Sequence, residues 1–218
     1  MKITYAITAC DEHKELERLL SFLQNNIDEQ DEIVVQLDAE NATPAVINVC
    51  QAAFNRDTKV YFNYTYFALE KDFASFKNNL FNFCKGDFIF QIDADEMPSI
   101  ELIHNLRPLL EGNPDNEVYL VPRINIVEGL TTEHIVKWGW RLDEKGRVNF
   151  PDYQWRIYKN CSYIKWKNKV HEMLEGYNTY AALPAEDEWC LTHPKNIKRQ
   201  EDAVRRYQQI DSNVREKL

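Results

Sequence analysis

Glycine and proline are scarce in this chain, with six and eight residues among 218. That leaves no obvious flexible linker, and neither an internal repeat nor a low-complexity tract interrupts the sequence. The five cysteines, Cys10, Cys50, Cys84, Cys161 and Cys190, contain no CxxC pair, so a zinc site built on that motif is excluded. Their number is odd and their spacing wide. Three fall within apolar helical or strand patterns and read as small core residues, which fits a reducing compartment. No apolar run approaches the length of a membrane span, and Met1–Ile7 is too short for the core of a secretion signal. The expectation is a soluble, cytoplasmic protein, in a cell or an infected host.

Positive charge is also in short supply. Lys and Arg number 26 against 35 Asp and Glu, giving a net charge of −9. A general binder of duplex nucleic acid is usually basic, so that class is disfavoured. The one dense basic stretch, Lys195 to Arg206, reads as a solvated helix face. What is present is ample apolar material, 44% of residues, enough to bury the core of one sizeable α/β domain.

Periodicity divides the chain. Ile3–Thr8 reads as a strand, and Leu16, Leu19, Leu20 and Leu23 have helical spacing. Glu32–Leu37 is a buried strand ending at Asp38. Thr43-Pro44 is an N-cap and first-turn pair for a helix with Val46, Cys50, Ala53 and Phe54 on one face. Lys59–Asn63 is a short strand. Phe73, Phe76, Leu80, Phe83 and Cys84 mark a helix closed by Gly86. An apolar strand then leads to Asp93. The order β-α-β-α-β-α-β implies a parallel sheet with helices on both faces. Pro98-Ser99 starts another helix, which Pro108 is expected to end. Beyond it, Val118–Val121, Tyr153–Tyr158 and Tyr163–Trp166 read as strands, Glu128–Phe150 as a long polar and aromatic segment, and Ile197–Ile210 as a helix with Val204, Tyr207 and Ile210 on one side.

The richest motif is Gln91-Ile92-Asp93-Ala94-Asp95-Glu96, at the end of a nearly continuous apolar strand. Such strands lie inside parallel sheets, and ligand sites lie beyond their carboxyl ends. Crowded carboxylates repel one another, and their oxygens suit Mg²⁺ or Mn²⁺ bound with a phosphate. In a strand, Asp93 and Asp95 would point to the same side and could share one metal. The bland alternative is a capping cluster before the helix at Ser99. A calcium EF-hand loop is weakened by Pro98 at its sixth position, where glycine is needed.

These residues resemble a known family. Thr8-Ala9-Cys10-Asp11-Glu12 after the first strand, Asp38 after the second, Lys77-Asn78 in the helix before the acidic strand, and Gly86-Asp87 followed by Asp93-Ala94-Asp95 are similar, in order and spacing, to a family 2 glycosyltransferase of GT-A fold. Asp152-Tyr153-Gln154-Trp155-Arg156-Ile157-Tyr158 and Val170-His171-Glu172 resemble the subgroup related to lipopolysaccharide-core and peptide S-glycosyltransferases. The chain departs from the family pattern at Asp11 and at Gln36-Leu37-Asp38-Ala39-Glu40.

The resemblance implies an α/β, Rossmann-like GT-A fold: a central, mostly parallel sheet flanked by helices, with a smaller mixed-strand half. Residues 1–100 would form the nucleotide-sugar half, 101–195 the acceptor and catalytic half, and 196–218 a C-terminal helix. The implied activity is metal-dependent, inverting sugar transfer from a nucleotide-diphosphate sugar, by default a UDP-sugar, to an acceptor hydroxyl. Glu172 is the implied base. Thr8, Glu12, Asp38, Lys77, Asp93, Ala94 and Arg156 are implied for donor binding, and Asp95, Asp93 and His193 for Mn²⁺ or Mg²⁺. For each there is a plainer reading: a helix-turn residue for Glu12, an ion pair for Arg156, a polar turn for His171-Glu172 and a hydrogen-bonding histidine for His193. One or two of Trp138, Trp140, Trp155 and Trp166 are expected to line the acceptor site. The acceptor stays open among glycan, lipid-linked, protein and modified nucleobase. The rivals are a nucleotidyltransferase, disfavoured by the lack of glycine in Thr8–Glu12, and a non-catalytic nucleotide or carbohydrate binder.

Overall fold

The structure, a computed structural model, describes residues 1–210. Its first half is the expected alternation: β1 (Ile3–Ala9), α1 (His13–Asn26), β2 (Glu32–Asp38), α2 (Pro44–Phe54), β3 (Tyr61–Phe67), α3 (Phe73–Phe81) and β4 (Phe88–Asp93). These strands pair in parallel in the order β3-β2-β1-β4, with Ala6 flanked by Val34 and Gln91. Every residue of β2 is buried, as a central parallel strand requires. One face of the sheet carries Ile33, Val35, Phe90 and Ile92 and is covered by Leu16, Leu19 and Leu23 of α1 and Val46 of α2. The other face carries Ala6, Val34 and Ile89 under Ala74 and Leu80 of α3.

The second half extends the same sheet with mixed strands. After β5 (Met97–Pro98) and α4 (Ile100–Gly112) come β6 (Val118–Glu128), α5 (Thr132–Trp138), β7 (Val148–Lys159), β8 (Lys165–Lys167), β9 (Met173–Glu175), β10 (Tyr180–Ala182), a single 3₁₀ turn, β11 (Leu191–Asn196) and α6 (Ile197–Ile210). β7 runs antiparallel to both β4 and β6, and β11 runs parallel to β6. β8 and β9 form a separate hairpin. The result is an α/β protein with a mostly parallel central sheet between helices.

Several local expectations are corrected. The third strand is Tyr61–Phe67, because it pairs with β2 along seven residues from Glu32↔Tyr61 to Asp38↔Phe67. Phe54 is 58% exposed; Val46, Cys50 and Ala53 complete the buried stripe of α2, and the Phe54 ring meets Tyr64 edge-on instead. Phe83 lies past the end of α3 and is partly exposed. Gly86 is not a left-handed helix cap. A Cβ there would stand 2.5 Å from the Thr4 amide nitrogen, so glycine serves the close approach to β1. α4 continues through Pro108: the proline is on the exposed side, while Leu106 and Leu110 hold the buried face. The segment 128–150 is not one long loop. It contains α5, capped by Thr131 and by left-handed Gly139, and the start of β7. The strand expected at Tyr163–Trp166 is Lys165–Lys167, set by its pairing with β9. Of the C-terminal helix expected over 196–218, residues 211–218 lie outside the described residues. No described helix is long and apolar enough to cross a membrane.

Candidate active site

The carboxyl ends of β1, β2 and β4 open into a cleft of about 1230 Å³, lined by Thr8, Glu12, Asp38, Lys77, Asp93, Ala94, Asp95, Arg156, Glu172 and His193, all the catalytic, donor-binding and metal candidates of the sequence. The sheet positions these side chains by register. Thr8 of β1 lies beside Asp93 of β4, and its hydroxyl donates to Asp93 Oδ1 at 3.1 Å. The Ala94 amide donates to the Thr8 carbonyl, tying the acidic turn back to β1.

Asp93 and Asp95 do not act as a strand pair. β4 ends at Asp93, and Ala94-Asp95 form a turn, so strand alternation no longer applies. Asp93 Oδ2 accepts from Arg156 Nη2 at 2.6 Å, and Lys77 Nζ is 3.6 Å from Oδ1. Burial alone would raise the Asp93 carboxyl; Arg156, Lys77 and Arg123 outweigh it and hold the group well below the ordinary range. Arg156 also donates to fully buried Glu96, which Arg123 reaches from the other side at 3.0 Å. The Arg156 Nη2 group is thus occupied by carboxylates.

Asp95 has a different partner. Its Oδ2 lies 3.3 Å from His193 Nε2. Burial would raise Asp95, but His193 and Lys195 bring it down to about 2. His193 itself is lowered, chiefly by burial, which favours the neutral ring. A carboxylate oxygen and an imidazole nitrogen this close are a fitting pair of donors for one divalent cation. Among the described residues no group of three or more His, Cys, Asp or Glu side chains is placed to hold a metal. A cation held by this pair therefore needs further oxygens from phosphate or water, the usual habit of Mg²⁺.

Glu172 enters from the β8–β9 hairpin. Its Oε1 accepts from Lys77 Nζ at 2.7 Å, and Lys77 sits 4.6 Å from the Trp166 ring centroid. The turn carrying it is built from non-glycine residues with left-handed backbone, Asn168 at φ +72° and His171 at φ +54°. Such conformations cost on the order of 1 kcal/mol each and cluster where a side chain must be aimed. Trp140, Trp155 and Trp166 line the cleft, whereas Trp138 is buried with Val148 and Val204.

At the far end, Asp38 accepts from the amides of Glu40 and Leu69 and from Asn41 Nδ2, so its oxygens order the loop after β2. The Glu12 carboxylate folds back onto the amides of Cys10 and Asp11 and faces Arg199 of α6 at 3.6 Å. The basic stretch from Lys195 is not simply a solvated face. Lys195, Arg199 and Arg206 line the cleft, and Tyr207 meets Phe73 and His171 edge-on.

The sequence pattern that defines "Glycosyl transferase family 2" matches residues 4–169. The chain belongs to glycosyl transferase family 2. Its fold is shared with S. aureus TarS. The crystal structure of TarS 1–349 in complex with UDP-GlcNAc superimposes with a TM-score of 0.64 at 14% identity, covering 99% of this chain and 68% of that one. The same fragment titled without a ligand gives 0.62 at 13% identity, covering 99% and 67%. The longer TarS chain gives 0.61 at 14% identity, with 99% and 41% covered. This chain thus spans about two thirds of the fragment and well under half of the longer chain. No curated protein matches the sequence.

As a family 2 glycosyltransferase, the protein is an enzyme that transfers a sugar from a nucleotide-sugar donor. Two cleft residues of this transferase, Arg123 and Asn125, were not singled out in the sequence, and Asp152, Lys195 and Tyr207 were named there without a role in the site. Their signal is polar alternation inside strands, Arg123-x-Asn125, Asp152-x-Gln154-x-Arg156 and His193-x-Lys195, the mark of a sheet surface with one wet side.

Proposed function

We propose that this family 2 transferase is an inverting, divalent-cation-dependent enzyme that moves a sugar from a nucleotide-diphosphate sugar to an acceptor hydroxyl. The observation that carries the reading is the convergence of Asp95 and His193 Nε2, 3.3 Å apart, in the cleft that also holds Glu172. Asp95 and His193 would hold a cation together with the donor's diphosphate, where it would supply positive charge against the departing nucleotide. Asp93, engaged by Arg156 and Thr8, sets the shape of the turn and is not a ligand in this reading. Glu172 Oε1 is held by Lys77, and Oε2, without a hydrogen-bond partner among the described residues, takes the acceptor proton. The acceptor oxygen bonds to the anomeric carbon as the bond from that carbon to the phosphate oxygen breaks, and the nucleoside diphosphate leaves with the electron pair. Attack from the opposite face inverts the anomeric centre.

Residues 1–100 serve the donor, 101–195 the acceptor, and the segment from 196 closes the cleft. The Asp152–Tyr158 and Val170–Glu172 motifs favour the subgroup related to lipopolysaccharide-core and peptide S-glycosyltransferases. A uridine donor is the first to test, because TarS was crystallised with UDP-GlcNAc and with UDP.

Calorimetric titration of UDP, UDP-glucose, UDP-galactose and UDP-N-acetylglucosamine, with Mn²⁺ and with chelator, tests this reading. Metal-dependent binding is expected, and Asp95→Asn is expected to abolish the metal effect. Glu172→Gln is expected to keep donor binding while transfer falls by about 10²–10⁴-fold. Binding indifferent to chelator and to Asp95→Asn would remove the cation from the mechanism.

A further inference from the structure

We propose that the acceptor is a neutral saccharide chain, and that its units beyond the reacting one bind across Trp155, Tyr177 and Tyr180, on the sheet face that leads away from the cleft. The inference deepens the transferase reading above and rests on it for the ligand's role as acceptor, though not for the binding itself.

Strand register lays out this face. Trp155 of β7 is paired with Leu120 of β6, and Leu120 with Ala182 of β10. Paired residues share a face. In the neighbouring row Tyr158, Val118 and Tyr180 are paired in the same way. Tyr158 and Val118 are buried with Trp166 and Leu174 of the β8–β9 hairpin. That cover does not extend over the rest: Leu120 is half-buried, Ala182 is exposed and Tyr180 is 60% exposed. Ala181 alternates to the opposite side and packs on the main core.

The rings connect to the cleft and to one another. Trp155 lines the cleft that holds Glu172. Its Nε1 donates to the Tyr177 hydroxyl at 3.2 Å, and Tyr177 meets Tyr180 edge-on with centroids 6.0 Å apart. The turn carrying Tyr177 is fastened from beside it. Glu117 accepts from the Asn178 backbone amide at 2.5 Å and from the Tyr163 hydroxyl at 2.6 Å, and the Thr179 hydroxyl donates to the Asp115 carbonyl at 2.6 Å. Rings set in place before a ligand arrives lose less to ordering when it binds.

Composition selects the ligand. Residues 176–185, Gly-Tyr-Asn-Thr-Tyr-Ala-Ala-Leu-Pro-Ala, carry no charged side chain in a chain that is 28% charged, and Tyr153-Gln154-Trp155 carries none either. A phosphorylated chain, a nucleic acid or an anionic lipid surface would call for Lys or Arg here. A second copy of the chain would be met best by a continuous aliphatic patch. What the face offers is indole and phenol rings, apolar on their faces and polar at one end. A pyranose matches them, with a face of C–H bonds and a rim of hydroxyls. Rings that continue outward from the cleft suit several such units in a row.

The test is calorimetric titration of the wild-type protein, free of donor and metal. The probes are maltose, cellobiose, chitobiose, laminaribiose and mannobiose, and the hexasaccharide of each series. At least one hexasaccharide is expected to bind about 10-fold or more tightly than its disaccharide. Tyr180→Ala, with folding checked by its amide spectrum, is expected to weaken that hexasaccharide about 10-fold, the worth of one stacked ring, and to leave the disaccharide unchanged. Tyr180→Phe keeps the ring and is expected to bind as the wild type does; a Phe variant as weak as the Ala variant would overturn the stacking. No binding in any series, or equal binding of disaccharide and hexasaccharide, would overturn the proposal. So would wild-type self-association, read by sedimentation equilibrium, that Tyr180→Ala abolishes, since the face would then belong to a second copy. Failure here is distinct from failure of the transferase reading, because saccharide binding is read without donor or metal and nucleotide-sugar binding without saccharide.

Discussion

Arg156 shows how a single buried residue can order the carboxylates of a site. Its side chain is 3% exposed, and Nη2 bridges Asp93 and the fully buried Glu96. Buried ion pairs add little net stability over apolar packing, but removing one partner leaves a desolvated charge behind. Arg156→Met should therefore destabilise the fold by about 3–5 kcal/mol, read as a lower urea midpoint with unchanged slope. A variant of wild-type stability would mean that Arg123 and Lys77 suffice for these carboxylates. Glu12 presents the opposite case. Burial first, then Asp95 and Asp11, push it up to about 6 from an ordinary 4.5, against the lowering effect of the Cys10 amide. Between those two values the folded protein holds more proton than the unfolded chain. Stability from this group is thus greatest below pH 4.5 and declines as pH rises to 6, by up to about 2 kcal/mol. Glu12→Gln should remove that decline, so its gain in melting temperature should appear at pH 7.5 and vanish at pH 4.5. Equal gains at both pH values would rule out ionisation as the cause.

The β8–β9 hairpin is the element on which the proposed base depends. It is short, three residues a side, and its geometry hinges on Gly176 at φ +93°. A Cβ at Gly176 would stand 1.9 Å from the Tyr163 carbonyl oxygen, backbone against backbone, where neither atom can swing aside. Gly176→Ala should cost on the order of 3 kcal/mol from overpacking and the left-handed backbone together. It should also displace Glu172, and a misplacement near 1 Å can cost about 10²-fold in rate. Transfer should fall by that order while donor binding, seated on β1, β2 and β4, stays close to wild type; parallel loss of both would place the hairpin in the donor site. This element also shows where sequence legibility ended. The parallel half was readable because β1, β2 and β4 are mostly apolar and buried and α1 has a clear leucine stripe, whereas β3, with its alternating polar residues, was misplaced at both ends. The second half hides its register: β6 and β7 shift partners at two irregularities, and β10 and β11 are too short or too polar to stand out. Glu172 and His193 were visible as motifs. Asn125 was not, because only strand pairing brings it to Asp152 and His193.

At the scale of the whole molecule, an acidic chain gathers its cations inward. The net charge is −9, yet Lys77, Arg123, Arg156, Lys195, Arg199 and Arg206 all line one cleft. Arg199 and Arg206 came into view only with the position of α6, and Lys195 with that of β11. On sequence alone, Lys195–Arg206 is indistinguishable from a solvated face. In the fold, Val204 anchors α6 among Trp138, Trp140 and Val148, and the helix turns Arg199, Arg206 and Tyr207 towards the cleft. Arg199 fastens one end to Glu15 at 2.9 Å. Tyr207 fastens the other, its ring 5.9 Å from Phe73 and 5.8 Å from His171. Burial, then Glu172 and Asp93, push its phenol up to about 12, so it stays a hydrogen-bond donor at working pH. The start of α3, the turn holding Glu172 and α6 therefore meet at one ring. Two edge-on aromatic contacts contribute about 1–3 kcal/mol. Tyr207→Ala should raise the opening equilibrium of α6 accordingly, speeding hydrogen exchange over Ile197–Ile210 about 10–100-fold. Exchange in the 168–172 turn should rise with it, while β1, β2 and β4 keep their protection and the global urea midpoint barely moves. Faster exchange confined to α6, with the 168–172 turn unchanged, would show that the helix and the proposed base are not linked through this ring.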